Sequence, residues 1–434
     1  MDPVSRRHTL VFVVIAVFLA AHGRLSPAQT SGDGTPALTL HGYLLGDVAV
    51  RTTGERPPDG EGGDFVLAEG RLRLDASGST ASGAFFFLAK ADGFYDAIEG
   101  KPGLDVREAY LGFAKGPWDL RLGRNVVTWG VGDLFFINDV FPKDWNSFFS
   151  GRPMEYLKLG VDGLRARFSS GALNAEFIAI SSFTPDELPS ARRFFYYDPF
   201  RSVPDQREVM PYAKNSGIGE MALRLYRDIA GFDVSVYAYQ GYWRMPSVET
   251  DRPFKPTTAT RFFPELAVYG ASIQRNLAGG VLSLETAYWD SRQDQSAMDP
   301  AVPHSQWRFL AGYQRELATD FTAGFQLYSE RMESYESYAS SPLPPGFPRQ
   351  DRFRQVVSTR LTRFLDYQAW RLSLFAAYSP TDRDYFLQPE VSRKLADNLT
   401  LSVGSNVFGG HKPWTFFGQF EKNDNVFFNV RFDF

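Results

Sequence analysis

The chain has 434 residues, of which 22% are charged and 15% aromatic, with 39 Phe, 38 Gly and no cysteine. Without cysteine, a lipid-anchored N-terminus, a thiolate metal centre, an attached c-type haem and a disulfide framework are all excluded. A formal net charge of −4 offers no basic surface for a polyanion, so nucleic acid is not expected as a partner.

At the N-terminus, Arg6 and Arg7 precede the apolar run 9–21, and Ser26-Pro27-Ala28 puts small residues at −3 and −1 of a cleavage site. This pattern predicts a signal peptide over 1–28, cut after Ala28. The run is shorter than the ~20 apolar residues a spanning helix needs, and no other stretch approaches that length. A short periplasmic segment, 29–35, is expected to follow.

The remainder alternates with a period of two. Val66, Ala68, Gly70, Leu72 and Leu74 interleave with Glu69, Arg71, Arg73 and Asp75, and Phe321, Ala323, Phe325 and Leu327 interleave with Thr322, Gly324 and Gln326. In chain order this predicts strands at 36–51, 65–77, 79–92, 105–115, 117–128, 155–169, 171–182, 217–228 and 231–243. Nine more follow at 265–276, 279–290, 305–316, 319–333, 353–363, 368–379, 384–394, 397–408 and 424–434.

Connections alternate as well. Long ones at 52–64, 93–104, 129–154 and 183–216 are separated by tight turns at Gly78, Gly116 and Gly171, and the rhythm continues through Asp228–Gly231 and Asn276–Gly280. Short turns at one end and long loops at the other distinguish a membrane barrel from a soluble sandwich. The expected fold is an all-β, transmembrane, antiparallel up-and-down barrel over 36–434, with eighteen strands. The brevity of 380–383 as an outer loop keeps sixteen open.

In the last strand Phe428, Val430, Phe432 and Phe434 alternate with Asn429, Arg431 and Asp433, and Phe434 is terminal. A terminal aromatic on an alternating strand resembles the signal read by outer-membrane assembly machinery. Left open in water, such an edge would promote aggregation, whereas barrel closure removes it. The bacterial outer membrane is therefore the expected location and the lipid bilayer an expected partner. Trp118, Tyr288, Trp307 and Tyr378 suit the two interfaces of the lipid face.

Charged partners turn inward, because a cation on the lipid face at mid-depth costs ~2–4 kcal/mol. Inward positions carry both signs, among them Glu69, Arg71, Arg73, Lys90, Glu108, Asp119, Arg121, Lys158, Asp162, Glu220, Arg224, Asp233, Glu285, Arg308, Arg354, Arg360 and Arg371. Such a lining favours water, ions and small polar solutes.

Between the fifth and sixth strands the sequence runs Leu120-Arg121-Leu122-Gly123-Arg124, then Trp129-Gly130, Asn138-Asp139 and Pro142-Lys143-Asp144. Over roughly 120–157 this resembles a motif of uncharacterised proteobacterial outer-membrane, porin-like barrel families, and is more distantly similar to alginate-export-type porins. The resemblance implies a diffusion channel whose third long loop, 129–154, folds inward as a constriction. Asp133, Asp139, Lys143, Asp144, Arg152 and Glu155 would then face a basic wall of Arg71, Arg73, Arg121 and Arg124, with Glu108 beside it. Strict alternation from Trp118 sends Arg124 outward unless Gly123 marks a bulge.

Two further loops stand out. Arg192-Arg193-Phe194-Phe195-Tyr196-Tyr197-Asp198 could stack ring-shaped ligands or pack against other loops, and 340–349 is a proline-rich tip. No enzymatic motif, metal site or cofactor site is expected. His41, His304 and His411 are scattered, and no Gly-x-Ser-x-Gly, His-Glu-x-x-His or phosphate-cradling glycine loop is present. Segment 29–35 has no room for the plug of an active receptor. Two alternatives to a channel for polar solutes stay open: a barrel sheathing a partner protein, which calls for a wide lumen without an inward loop, and an uptake channel for apolar compounds, which the charged lining disfavours. The sequence also leaves open whether the barrel forms a homo-oligomer.

Overall fold

The computed structural model describes residues 38–57, 60, 62–171, 173–199, 219–252, 257–343 and 347–434. The expected signal peptide 1–28 and the segment 29–35 lie outside the described residues, as do residues 200–218 of the fourth long loop and Pro344 and Pro345.

Alternating segments become strands because one face can meet lipid while the other meets the lumen. The first nine are β1 Thr39–Arg51, β2 Phe65–Ser79, β3 Phe85–Asp96, β4 Lys101–Lys115, β5 Trp118–Val126, β6 Gly160–Ser169, β7 Asn174–Ile180, β8 Glu220–Ile229 and β9 Phe232–Tyr242. A short hairpin, β10 Ser247–Thr250 and β11 Ala259–Phe262, rises from the next outer loop. The last nine are β12 Glu265–Leu277, β13 Gly280–Ser291, β14 Gln306–Ala318, β15 Phe321–Met332, β16 Phe353–Leu365, β17 Trp370–Ser379, β18 Asp384–Ala396, β19 Leu399–Gly410 and β20 Asn425–Asp433.

Apart from the hairpin, each strand pairs antiparallel with its neighbours in sequence, β9 bridges to β12, and β20 returns to β1. The result is a closed eighteen-stranded barrel, so every strand has a partner on both sides. Closure runs in register from Tyr43↔Asp433 to Arg51↔Asn425. It is completed by reciprocal backbone hydrogen bonds between Gly42 and Phe434, Gly42 N donating at 3.0 Å and Phe434 N at 2.9 Å.

The outward face is apolar: Leu111 and Leu122, opposite one another on β4 and β5, are 70% and 63% exposed. Tyr288, Trp307 and Tyr378 lie on this face near the outer rim, with Tyr288 and Trp307 in ring contact. Trp118 contacts Phe168 at the opposite end. Phe428, Val430, Phe432 and Phe434 share the outward face of β20 by alternation with the inward Phe427 and Asn429. At the short-turn end, Ala230-Gly231 and Ala278-Gly279 have positive φ at both positions, the geometry two-residue hairpins need to match strand twist.

Two connections differ from expectation. The long loop expected at 93–104 is a four-residue turn, because β3 continues through Tyr95 and pairs Asp96 with Lys101. Gly93, where the loop is expected to start, is strand, and Asp92 before it turns inward onto Arg71 and Arg73. Likewise β2 runs past Gly78 to Ser79, so its turn falls at 80–84. The four-residue connection 380–383 is an outer loop despite its brevity.

At the closure seam a Cβ on Gly42 would sit 2.4 Å from the Arg73 carbonyl oxygen and 2.6 Å from the Phe434 ring, whereas one on Gly93 would meet nothing within 4 Å. Gly42→Val is therefore expected to lose most of the heat-modifiable folded species on unboiled gels, and Gly93→Val to retain it.

Candidate functional site

The segment between β5 and β6, residues 127–159, contains Val127, Trp129, Ile137, Val140, Phe141, Phe148, Phe149 and Leu157, all buried. Draped over the rim, these side chains would face water, at roughly 1.5–3 kcal/mol for each large apolar group. Instead they form one cluster with inward residues of the wall, including Ile178, Tyr237, Trp289, Phe375, Phe386, Phe408 and Phe427. The loop therefore lies inside the barrel.

Its path is fixed by polar contacts to opposite walls. Near its start, Trp129 Nε1 donates to Glu176 Oε2 on β7 at 2.8 Å. The Glu285 carboxylate on β13 then accepts from the backbone N–H of Val131, Gly132 and Asn138 at 2.8, 3.1 and 2.9 Å, and from Asn138 Nδ2 at 2.9 Å. Gly130, at φ 77°, permits the turn beside it, where a Cβ would lie 2.6 Å from Glu285 Oε1. Asp133 forms a bidentate pair with Arg360 on β16, one bond being 3.0 Å, while its N–H donates to Gln326 Oε1 on β15.

The loop then crosses the lumen. A single-turn helix, α1 Trp145–Ser150, is capped by Asp144, whose Oδ1 accepts from Ser147 N at 2.6 Å, and ends at Gly151 in the left-handed region. Its end sits on β19 and β20, where Asn406 Nδ2 donates to Phe149 O at 3.1 Å. Arg152 donates two bonds to Glu69 on β2 at 2.9 and 2.7 Å. Tyr156 OH meets Tyr43 OH on β1 at 2.8 Å and accepts from Arg73 at 3.3 Å.

Of the residues singled out in the sequence, Arg71, Arg73 and Arg152 meet in this cluster, where Glu69 and Asp92 balance them. Glu155 faces Arg73 at 3.6 Å and Arg431 at 3.0 Å. Asp133 faces the opposite wall. Asp139 turns back onto its own loop, 3.0 Å from Lys143 and 2.6 Å from Lys158. Burial pulls the Lys143 ammonium below its ordinary range, opposed by Asp139 beside it, and pushes the Asp186 carboxyl up, opposed mainly by nearby Lys143. Glu108 pairs with Lys90 at 3.1 Å, and Arg121 pairs with Asp119 at 3.0 Å.

Arg124 is not in the lumen. It pairs with Asp162 at 2.6 Å on the side of Leu122 and Leu164, facing outward, so the alternation holds and Asp162 is not a lining residue either. Nor is the lining charged throughout: the outer half of β13–β19 presents Trp289, Leu310, Tyr328, Val356, Phe375, Phe386 and Phe408 inward. Arg193 pairs with Asp96 on β3, and Phe194 packs in the central cluster, so this loop closes onto the rim.

No protein-family model matches the chain, and no curated protein matches it. Among solved structures it resembles OccD3 (OpdP) of Pseudomonas aeruginosa, with a TM-score of 0.55 at 9% identity, covering 94% of this chain and 95% of that one. OccAB3 of Acinetobacter baumannii gives 0.55 at 10%, covering 92% and 99%. OccK5 (OpdH) of Pseudomonas aeruginosa gives 0.52 at 10%, covering 92% and 97%. The fold is a porin-like outer-membrane β-barrel. The likeness spans nearly the full length of each partner, so the barrel as a whole corresponds.

Replacing Glu285 by Ala would leave three loop N–H groups without their acceptor, at about 1–3 kcal/mol for each that stays dry. Glu285→Ala is expected to keep the barrel, judged by heat-modifiable mobility, while making segment 131–138 cleavable by protease added from the long-loop side. Protection equal to wild type would show that Glu285 does not hold the loop.

Proposed function

We propose that this barrel is a passive outer-membrane channel for small solutes, narrowed by residues 127–159. The observation that carries the reading is the crossing of the lumen by that loop, tied to β13–β16 through Glu285 and Arg360 and to β1 and β2 through Tyr43 and Glu69. A loop held from both sides narrows the passage. Its charged contacts and the polar lower lining, with Gln274, Ser283, Gln326 and Arg360 around one cavity of about 210 Å³, suit water and small solutes. This reading includes delivery by a cleaved signal peptide over 1–28, insertion guided by the Phe434 strand, and kinship with the porin-like families whose motif the loop resembles. Association of barrels into a homo-oligomer is compatible with it.

The sheathing alternative calls for a lumen free of inward loops, so the crossing loop weighs against it. The test is single-channel conductance of the refolded mature protein in planar bilayers, for wild type and for deletion of residues 133–144. Steady conductance that increases on deletion is the expected result. A correctly folded barrel that conducts in neither form would overturn the channel reading.

A further inference from the structure

Above the constriction, between the loop and β12–β18, lies a cavity of about 280 Å³. Aromatic rings from several elements make up much of its wall. Phe135 and Phe136 come from the crossing loop, Trp243 from the end of β9, Trp289 from β13, Phe375 from β17 and Phe416 from the last outer loop. Phe135 lies parallel to Tyr328 at 5.1 Å between centroids, and Trp243 contacts Trp289 at 5.1 Å. For scale, an apolar cavity on the order of 150 Å³ accepts benzene.

Acidic and basic groups both reach this cavity, and most of them are paired; Asp186 accepts from the Lys143 N–H at 2.8 Å and from Trp145 Nε1 at 3.0 Å. Arg354 pairs with Asp382 at 2.6 Å and lies 3.7 Å from Glu330, which also accepts from Tyr328 OH at 2.5 Å. Lys143 is held by Asp139, and Arg244 by Glu220. Arg308 lays its guanidinium 3.6 Å from the Trp289 ring centroid, and the Glu330 carboxylate acts on it through space. What remains for a ligand is mostly ring surface, between acidic and basic groups that already face one another.

A further cavity lies on either side of the site. A larger space of about 590 Å³ on the long-loop side shares Trp145, Asp186, Met245 and Phe416 with it. The polar cavity below continues along the same strands, with Gln326 two residues below Tyr328 on β15 and Ser358 two below Val356 on β16. Asp133 and Leu134, adjacent in the crossing loop, line the lower and upper cavities respectively.

We propose that the aromatic cavity is a binding site for uncharged, planar aromatic solutes, which it holds before they pass the crossing loop toward the polar lower lumen. The proposal rests on the channel reading for its direction of travel, and on the cavity alone for binding. Apolar walls take the ring by area burial, and an ionised analogue meets a desolvation cost among groups that already face opposite charges. The polar cavity below favours release.

The test is equilibrium binding of p-cresol, followed by tryptophan fluorescence, to the full barrel in lipid nanodiscs, with p-toluate and glucose as the charged and non-aromatic probes. Ala377 lines the cavity from β17, so Ala377→Phe fills it, and Phe416→Ala, in an outer loop, enlarges it without touching the sheet. Expected are saturable p-cresol binding by wild type, affinity lower by about tenfold or more in Ala377→Phe, an altered but saturable response in Phe416→Ala, weaker p-toluate binding and none for glucose. Tighter binding of p-toluate than of p-cresol, or a wild-type response no different from that of folded Ala377→Phe, would overturn the site. Conductance of the same preparation separates the two readings: conduction without saturable p-cresol binding removes the site and keeps the channel, and saturable binding without conduction does the reverse.

Discussion

Backbone pairing in hydrocarbon is the constraint from which the other features follow. A strand in lipid cannot leave N–H or C=O groups unpaired, so the sheet must close on itself, and closure depends on the β1–β20 seam, where Gly42 and Phe434 exchange backbone bonds and the Phe434 ring covers the position a Gly42 side chain would occupy. A closed ring of eighteen strands encloses more space than its own inward side chains fill. That space is occupied here by a loop of the same chain. The apolar residues of 127–159 find their burial against the inner wall, so lumen filling and loop folding are one event.

The lumen is consequently asymmetric. Along β2–β7 the wall is charged and internally neutralised, with Glu69, Arg71, Arg73 and Asp92 making a buried network that receives Arg152 and Tyr156. Along the outer half of β13–β19 it is aromatic, and the crossing loop meets it with Phe135, Phe136, Phe148 and Phe149. The loop is thus held by charge-assisted bonds at both sides, Arg152 on Glu69 at one and Asp133 on Arg360 with Glu285 at the other, and ring packing is added on the aromatic side. The outer cavity lies on the aromatic side.

The barrel was legible from sequence because its signal is repeated eighteen times: alternation, turn residues and the terminal aromatic all report the same geometry. Errors fell where one residue type serves two purposes. Gly93 reads as a loop start but lies within β3, beside the inward Asp92 that closes on Arg73, and Gly78 reads as a turn while still pairing with β3. Period-two parity placed Arg124 outward more reliably than did the analogy that drew it into the lumen. The crossing loop itself was expected from its position and motif, yet its partners were not. Glu285 and Arg360 stood among the inward charges, but nothing local distinguishes a carboxylate accepting three loop N–H groups from one pairing with its neighbour, because the contact spans about 150 residues of sequence. The aromatic wall was missed for a related reason. Inward Trp289, Phe375, Phe386 and Phe408 look like lipid-facing residues until the loop that covers them is in place.

The loop lies within the lumen against the far wall, and the absence of native cysteine makes that directly measurable in membranes by joining introduced cysteines with a bifunctional thiol reagent about as long as an arginine side chain, since a direct disulfide needs a closer approach. The pair Asp133→Cys with Arg360→Cys tests the crossing, and the pair Arg354→Cys with Asp382→Cys, whose native side chains meet along the outer edge of the wall, controls for access of the reagent. Cross-linking of both pairs in the folded barrel is the predicted result. A cross-link in the control pair alone would place the loop away from β16 and contradict the account.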